Sequence, residues 1–580
     1  MLQRLSATST PAQATRLQTT TPRASLIVLA CLVFLAALAA VLLAASLLPA
    51  ATLVGRFMSA TGDARAGAVT QNLIADLPRR LQLAGAGFAL LMVLLLVLRR
   101  PFERVVASVL AAFPWRLARV HGADWPLGGL IIIAIAARLA FLNQPMRYDE
   151  ALSFNEFASR APYYGLSFYP EPNNHLLNTL LMHVAYAVLG NQPWVLRLPA
   201  LIAGVLLVPA TYGLGRLLYG RGAGLAAAGL VAASSYVVEY STNARGYTLA
   251  ALCCVTMFAL GVVAVRRDSL ATLLAGAVVA AAGIYAVPTT VYGVVVACAW
   301  LAIELRRSRP VHISLSTVVV VLLLMMLLVA LVYLPVVLVS GPEALIANRF
   351  VVPLGIGELL QQLPASLVRT WQFWNRDLPL PVVALLVAGC LVATIAELQR
   401  QKVPVALLAV GACLALVVVQ RVAPFERVWL FLLPLYFVVG AGGLALVAQR
   451  SGAQRMPAQL GGIASLVVAV GLAALTISSG SVIASAETGV FPDAEAVATT
   501  LRDRGIGPRD AVLTELPASL PELQYYFPRA GLGIDSLVRE PSAAERVYVV
   551  SPANAQPQLY GRARPVELRR YATAVLYELQ

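Results

Sequence analysis

Lysine is all but missing from this 580-residue chain: Lys402 is the single one, and only 12% of the residues carry charge of either sign. Soluble domains carry about twice that share, and with 59% hydrophobic residues and a mean hydropathy of +0.78 the chain belongs in a bilayer. Disulfide signals are missing as well. The six cysteines (Cys31, Cys253, Cys254, Cys298, Cys390 and Cys413) all fall inside apolar runs, with no CxxC pair and none in a polar stretch, so they read as packing residues. No soluble stretch interleaves basic and aromatic residues either. The formal charge of +15 comes from arginines in short connections, which points to cytoplasmic loop charge and excludes a nucleic-acid partner.

Apolar runs are what the chain has in abundance. Candidates of roughly membrane-crossing length lie near 25–53, 81–98, 126–142, 195–218, 223–241, 247–265, 269–287, 290–304, 313–339, 379–397, 403–419, 427–448 and 459–479, which predicts about 13 transmembrane helices. The first is too long for the apolar part of a cleaved signal peptide, roughly 7–15 residues, and reads as a retained span. Arginine clusters test the segmentation. RRPFERVV after the second run, GRG at 220–222, RRD at 266–268, RRSR at 306–309, QRQK at 399–402 and QRSGAQR at 449–455 fall in alternate connections. That pattern predicts a multi-pass protein of the cytoplasmic (inner) membrane with its N-terminus inside and its C-terminus outside.

One more apolar stretch, 174–190, would break this alternation if it crossed. Asn174, Asn178 and Tyr186 fall at multiples of four, and His175, Thr179 and His183 repeat the spacing one position on. On a helix they draw a polar stripe against a Leu/Val/Ala face, which predicts an interfacial helix on the outer leaflet. The long hydrophilic stretches, 54–80, 143–194, 340–378 and everything after about 480, then share the outer face. The last of them alternates a helix-like 493–505 with strand-like 511–515, 546–551 and 574–579 between Pro/Gly-rich turns. A small extracytoplasmic α/β domain follows, and with no Gly-rich phosphate fingerprint after its first strand it is assigned no cofactor. The organisation reads as 1–125, a two-helix accessory module with a basic amphipathic connector; 126–480, the transmembrane catalytic core; and 481–580, the α/β domain.

Against this apolar background MRYDEALSFNEFASR, 146–160, places Asp149 and Glu150 just past the third run, on the outer face. The same loop ends in FYPEPNNHLLN, where Glu171, Asn173, Asn174 and His175 crowd hydrogen-bonding groups into a stiff turn. Arg245 and Tyr247 in YSTNARGY and Glu426 and Arg427 in VAPFERVWLFLLP fall on the same side. Acids and arginines that converge there suit a carboxylate base for an acceptor hydroxyl and guanidiniums for a phosphate leaving group.

RYDEA, EPNNH, ARGY and PFERVWLFLLP together resemble the bacterial relatives of protein O-mannosyltransferases and lipid A aminoarabinose transferases, C-type-fold (GT-C) membrane glycosyltransferases, over roughly 126–480. The resemblance implies a GT-C-like fold and transfer of a sugar from a polyprenyl-phosphate donor to a lipid, glycan or protein acceptor, with inversion at the anomeric carbon. It implies Asp149 as the catalytic acid residue, with Glu150 beside it, and Arg245 and Arg427 as donor-phosphate contacts. In relatives the residue two before the arginine is often acidic; here it is Asn243, so no cofactor is assigned and a divalent metal stays open. A transporter or flippase is the alternative class. Carriers concentrate ionisable groups near mid-membrane, whereas here the run interiors read as nearly free of charge and the polar groups gather at one face. A reporter that works only outside the cytoplasm, fused after Gln580, is expected to be active; activity there of a cytoplasm-only reporter would reverse the topology.

Overall fold

The computed structural model describes residues 22–580 apart from 62–66, 113–124, 309, 347–351, 451–457 and 518. Every predicted run is helical. Among the described residues nine helices are long and apolar enough to cross a membrane: Pro22–Ala45, Ile74–Val97, Pro193–Tyr219, Tyr247–Arg267, Pro288–Ser308, Leu315–Val339, Leu380–Gln399, Glu426–Arg450 and Leu460–Ser479. Trp125–Leu139, Leu270–Ala286 and Val405–Gln420 match three further runs but hold 15, 17 and 16 residues. The remaining run is broken into Arg221–Ala233 and Ser235–Ser241, bent by 61° at Ser234. The chain is a multi-pass membrane protein.

The break exposes carbonyls that lipid cannot satisfy, and two other helices supply donors. Arg138, fully buried near the end of Trp125–Leu139, donates to Ala232 O at 3.0 Å and Val231 O at 3.4 Å. Thr476 donates to Ala233 O at 2.8 Å. The reading of the runs as nearly uncharged inside is corrected here: Arg138, Arg197 and Glu239 are all buried, and each is bonded to backbone or to an opposite charge. Such residues escape a composition count because each run holds only one or two.

Helix 176–189, the predicted interfacial helix, turns its polar stripe inward. Asn178 donates to Ala244 O at 2.9 Å, and the His183 ring meets Ala158 O at 2.8 Å. Leu181, Val184, Val188 and Leu189 are exposed instead, as suits a helix whose outer surface meets acyl chains.

The N-terminal helices are packed into the core, not merely appended. Gly67–Val97 lies against Pro22–Ala45 and Leu315–Val339, and Arg80 caps the latter through Leu338 O and Val339 O. The connector is helical over Arg99–Ala112, burying Phe102 and Val105; its remainder lies outside the described residues, as does most of QRSGAQR.

The C-terminal segment forms a four-stranded sheet of β1 (Ala511–Thr514), β2 (Val547–Pro552), β3 (Pro565–Arg570) and β4 (Ala574–Leu579), in the order β1-β2-β4-β3, with β1 parallel to β2 and the other pairs antiparallel. β3 carries no alternating apolar pattern because it is a solvated edge strand with Arg569 and Arg570. Helices Ala494–Asp503 and Leu520–Arg529 pack on one sheet face, and their apolar cluster runs on into Met146, Ala151, Phe154 and Ala158 of the acid loop. The domain is therefore seated on the loop.

Helices Leu380–Gln399 and Leu433–Arg450 approach at glycines: a Cβ on Gly443 would lie 1.8 Å from Gly389 O. Small residues are what permit such contact in lipid. Gly443→Ala is expected to cost about 1–3 kcal/mol through overpacking, read as an earlier thermal unfolding of the detergent-purified protein, while Gly471→Ala, with open space around it, should leave the transition in place.

Candidate active site

The acid loop starts as backbone. Arg147 is extended, Tyr148–Ser153 is a single helical turn and a half, and Phe154–Ala158 continues it as a π-helix. Consecutive helical residues point about 100° apart, so adjacent acids face different surroundings. Glu150 points inward and is fully buried. Its Oε1 accepts from Arg197 Nε at 2.8 Å and Ala244 N–H at 2.6 Å, and its Oε2 from Arg197 Nη2 at 2.7 Å and Arg147 N–H at 3.0 Å. Burial acts to raise its pKa, but Arg197 and these backbone donors outweigh burial and hold the carboxyl below its ordinary range. With four donors engaged, Glu150 has no role left at a reacting atom; it positions the loop. Arg197 gathers the preceding stretch by donating to Leu142 O, Gln144 O and Pro145 O at 2.7–2.9 Å.

Asp149 points the other way. Its N–H donates to Thr488 O at 3.1 Å, while its side chain is 13% exposed and lies 4.0 Å from Arg245 Nη2. Its carboxylate accepts no hydrogen bond among the described residues. Arg245, only 2% exposed, ties the two ends of the loop together through Ser153 Oγ and Asn173 O, both at 2.8 Å. Its Nε has no partner among the described residues.

The predicted turn residues divide in the same way. Asn173 reaches back to Asp149 O at 3.4 Å and Ser153 Oγ at 3.3 Å. Asn174 is fully buried, donating to Gly165 O and Phe168 O and accepting from Thr179; it shapes the turn and offers nothing to a ligand. Glu171 is half-buried, its carbonyl accepting from Asn174 N–H at 3.3 Å. His175 Nδ1 accepts the Gly246 N–H at 2.8 Å, and its Nε2 lies 3.4 Å from Arg245 Nη2. Burial, then the charges of Arg245 and Arg427, push its pKa well below the usual value, so the ring is neutral with its proton on Nε2.

Arg427 completes the group. Its Nε donates to Tyr247 OH at 3.1 Å and its Nη1 to Glu487 O at 3.3 Å; it is half-buried and within electrostatic reach of Asp149. Tyr247, first residue of its helix, packs edge-on to His175 and Tyr240. An apolar cavity lined by Cys254, Val255, Phe258, Phe431 and Leu435 lies about one to three helical turns along from Tyr247 and Arg427. Among the described residues no three His, Cys, Asp or Glu side chains converge to hold a metal ion.

Several residues that build the site were not anticipated. Strip 482–490 threads beside the acid loop: Arg147 donates to Val482 O, to Ser485 O at 2.6 Å and to Thr488 Oγ1, and Asn243 also meets Thr488 Oγ1. Helix Leu520–Arg529 closes the loop from the other side through Asn155 to Pro521 O at 2.9 Å, Met146 N–H to Tyr526 OH at 3.1 Å, and Arg529 to Asn191 O and Gln192. Glu522 on that helix is fully buried with neither oxygen hydrogen-bonded among the described residues. Burial and the nearby charges of Glu150 and Asp149 push it up to about 8, so it is protonated at neutral pH. Arg197 and Glu239, like Arg138, carried a signal, as charges inside apolar runs.

Removing one partner of a buried ion pair strands the other. Arg197→Ala and Glu150→Ala are each expected to destabilise the protein by about 3–5 kcal/mol, whereas Arg197→Met combined with Glu150→Leu should recover part of the loss. Thermal unfolding of the three variants measures this.

A family model described as dolichyl-phosphate-mannose-protein mannosyltransferase matches residues 175–333. No curated protein matches the chain. Among solved structures, ArnT from Cupriavidus metallidurans in the apo state is 15% identical with a TM-score of 0.49, over 77% of this chain and 97% of that one. Archaeal oligosaccharyltransferase AglB from Archaeoglobus fulgidus is 13% identical with a TM-score of 0.47, over 74% and 69%. Arabinosyltransferase EmbB from Mycobacterium smegmatis is 15% identical with a TM-score of 0.38, over 63% and 34%. The motif resemblance to membrane glycosyltransferases thus meets a family model of the same kind on the segment that holds His175, Arg245 and Tyr247.

Proposed function

We propose that the chain is an inverting glycosyltransferase that moves a sugar from a polyprenyl-phosphate donor to an acceptor on the outer face of the cytoplasmic membrane. The observation that carries this reading is the divergence of the acid pair. Glu150 is locked, while Asp149 keeps unbonded carboxylate oxygens 4.0 Å from Arg245 and within electrostatic reach of Arg427.

In this reaction the acceptor oxygen bonds to the anomeric carbon, its proton passes to Asp149, and the anomeric C–O bond to phosphate breaks with its electron pair leaving on the phosphate. Charge therefore builds on the phosphate, where a fixed guanidinium stabilises it most. Arg427 is the more accessible of the two arginines and takes that role. Arg245, deeper and already bonded to Ser153 and Asn173, holds Asp149 at its place and offers its unused Nε–H. Tyr247 orients Arg427, and the neutral His175 braces the turn. The apolar cavity beside Phe258 and Phe431 suits the first isoprene units of the donor. The acceptor, whether lipid, glycan or protein, approaches the 13%-exposed side chain of Asp149.

Asp149→Asn keeps the shape and removes the proton acceptor. It is expected to fold, bind donor, and lose roughly 100-fold or more in turnover, the contribution of a positioned base. Arg427→Ala is expected to weaken donor binding by about 1.5–3 kcal/mol, the scale of a charged hydrogen bond. Transfer and binding assays with polyprenyl-phosphate sugars measure both; parental turnover in Asp149→Asn, or transfer from a nucleotide sugar with no lipid carrier, would overturn the reading.

A further inference from the structure

Strip 482–490 brings a carboxylate of its own to the arginine side of the site. Glu487 Oε2 accepts from Tyr240 OH at 2.7 Å and its Oε1 from Tyr236 OH at 3.3 Å, while its carbonyl accepts from Arg427 Nη1 at 3.3 Å. The same Tyr240 packs edge-on against Tyr247, whose hydroxyl holds Arg427 Nε. Glu487 thus touches Arg427 directly through its backbone and indirectly through two tyrosines.

The charges around it are unequal. Helix Ser235–Ser241 presents Tyr236, Tyr240 and Glu239, and the turn Glu426–Leu432 presents Arg427 and Glu426. Arg147, bonded to Ser485 and Thr488 on either side, is drawn 3.7 Å from Glu239. Glu239 is paired with Arg376 and Glu426 with Arg369. The carboxylate of Glu487 is held by neutral phenols alone, and the cation whose charge acts on it is Arg427, the guanidinium that a donor phosphate would claim. Burial first, then the like charges of Glu239 and Glu426, push Glu487 up to about 7, with Tyr240 and Arg427 offsetting part of the rise.

Resting on the donor reading above, we infer that Glu487 is a proton-linked positioning residue of the phosphate clamp: when a phosphate anion settles on Arg427, Glu487 takes up a solvent proton, and it releases that proton when the lipid phosphate leaves. The physical reason is competition for one guanidinium. An arriving anion draws off the attraction that keeps Glu487 ionised and adds its own repulsion, so the carboxyl's affinity for a proton rises on binding. Linkage is reciprocal. Whatever raises the proton affinity in the complex must also make the donor bind better when Glu487 is protonated. Donor affinity is therefore highest below pH 7, falls as pH climbs from about 7 toward the higher value in the complex, and levels off above it. The neutral acid still accepts from one phenol and can donate to the other, so Tyr240 and Tyr247 keep Arg427 aimed throughout.

Calorimetric binding of dolichyl-phosphate mannose to the detergent-purified full chain between pH 6 and pH 9 tests this. The probe is a phosphodiester that does not titrate in this range. Affinity is expected to fall about fivefold to tenfold across the range, the effect of a shift approaching one pKa unit, and binding heats in buffers of different ionisation enthalpy should show net proton uptake near pH 7.5. Glu487→Gln should bind with the low-pH affinity of the native chain, lose the slope and take up no proton. A slope and uptake that persist in Glu487→Gln would assign them to His175 or Glu522 and overturn the inference. So would zero uptake by the unmodified protein, a measurement independent of how the variant folds. Native protein that at no pH binds either this probe or a bare polyprenyl phosphate would instead overturn the donor reading itself.

Discussion

The site depends on one buried ion pair, Glu150 with Arg197. Two ions taken out of water cost several kcal/mol each, and attraction alone seldom offsets that. Here the remaining hydrogen-bonding capacity is filled: Glu150 also takes the N–H groups of Ala244 and Arg147, and Arg197 takes three carbonyls from 142–145. Three separate chain segments, 142–150, the start of helix Pro193–Tyr219 and the turn at Ala244, meet at the pair. With Glu150 pinned, helical geometry leaves its neighbour Asp149 pointing outward, and Ala244 carries Arg245 and Tyr247 to the same place.

The break at Ser234 serves that placement. A straight helix would carry residues 235–246 onward along its axis; the 61° bend lays them under the acid loop. Freed carbonyls in an apolar setting need donors, and Arg138 and Thr476 provide them from two other helices. An intramembrane arginine, Arg138, thus does structural work beside the break, while Arg245 and Arg427 face the site.

The C-terminal segment is part of the site and not a detachable module. Its entry strip 482–490 bonds Arg147, Asn243 and Arg427, and its second helix covers the loop with Tyr525 and Tyr526 against Phe154 and Met146. A protonated Glu522 can sit there without a partner at modest cost, because the neutral acid avoids the penalty of a buried charge beside two carboxylates.

Long apolar runs, alternating arginine clusters and the acid pair in its polar loop were legible because each is a local property: bilayer thickness demands run length, and the two-residue motif is contiguous. The sequence by itself determined that the chain crosses a membrane many times and that a small α/β unit follows; of its thirteen predicted runs, nine are helices long and apolar enough to cross among the described residues, three are shorter helices and one is broken. Only the family resemblance singled out Asp149; the residues by themselves did not separate it from Glu150, nor the buried Asn174 and Arg245 from the more open Arg427, because such residues differ only in what packs against them. Strip 482–490 and helix 520–529 join the loop from more than 330 residues away, and edge strand β3 lacks an apolar pattern because half of it faces water. Only the tertiary structure decided those, since burial and pairing across such distances arise when separate segments meet and leave no periodicity in any one of them.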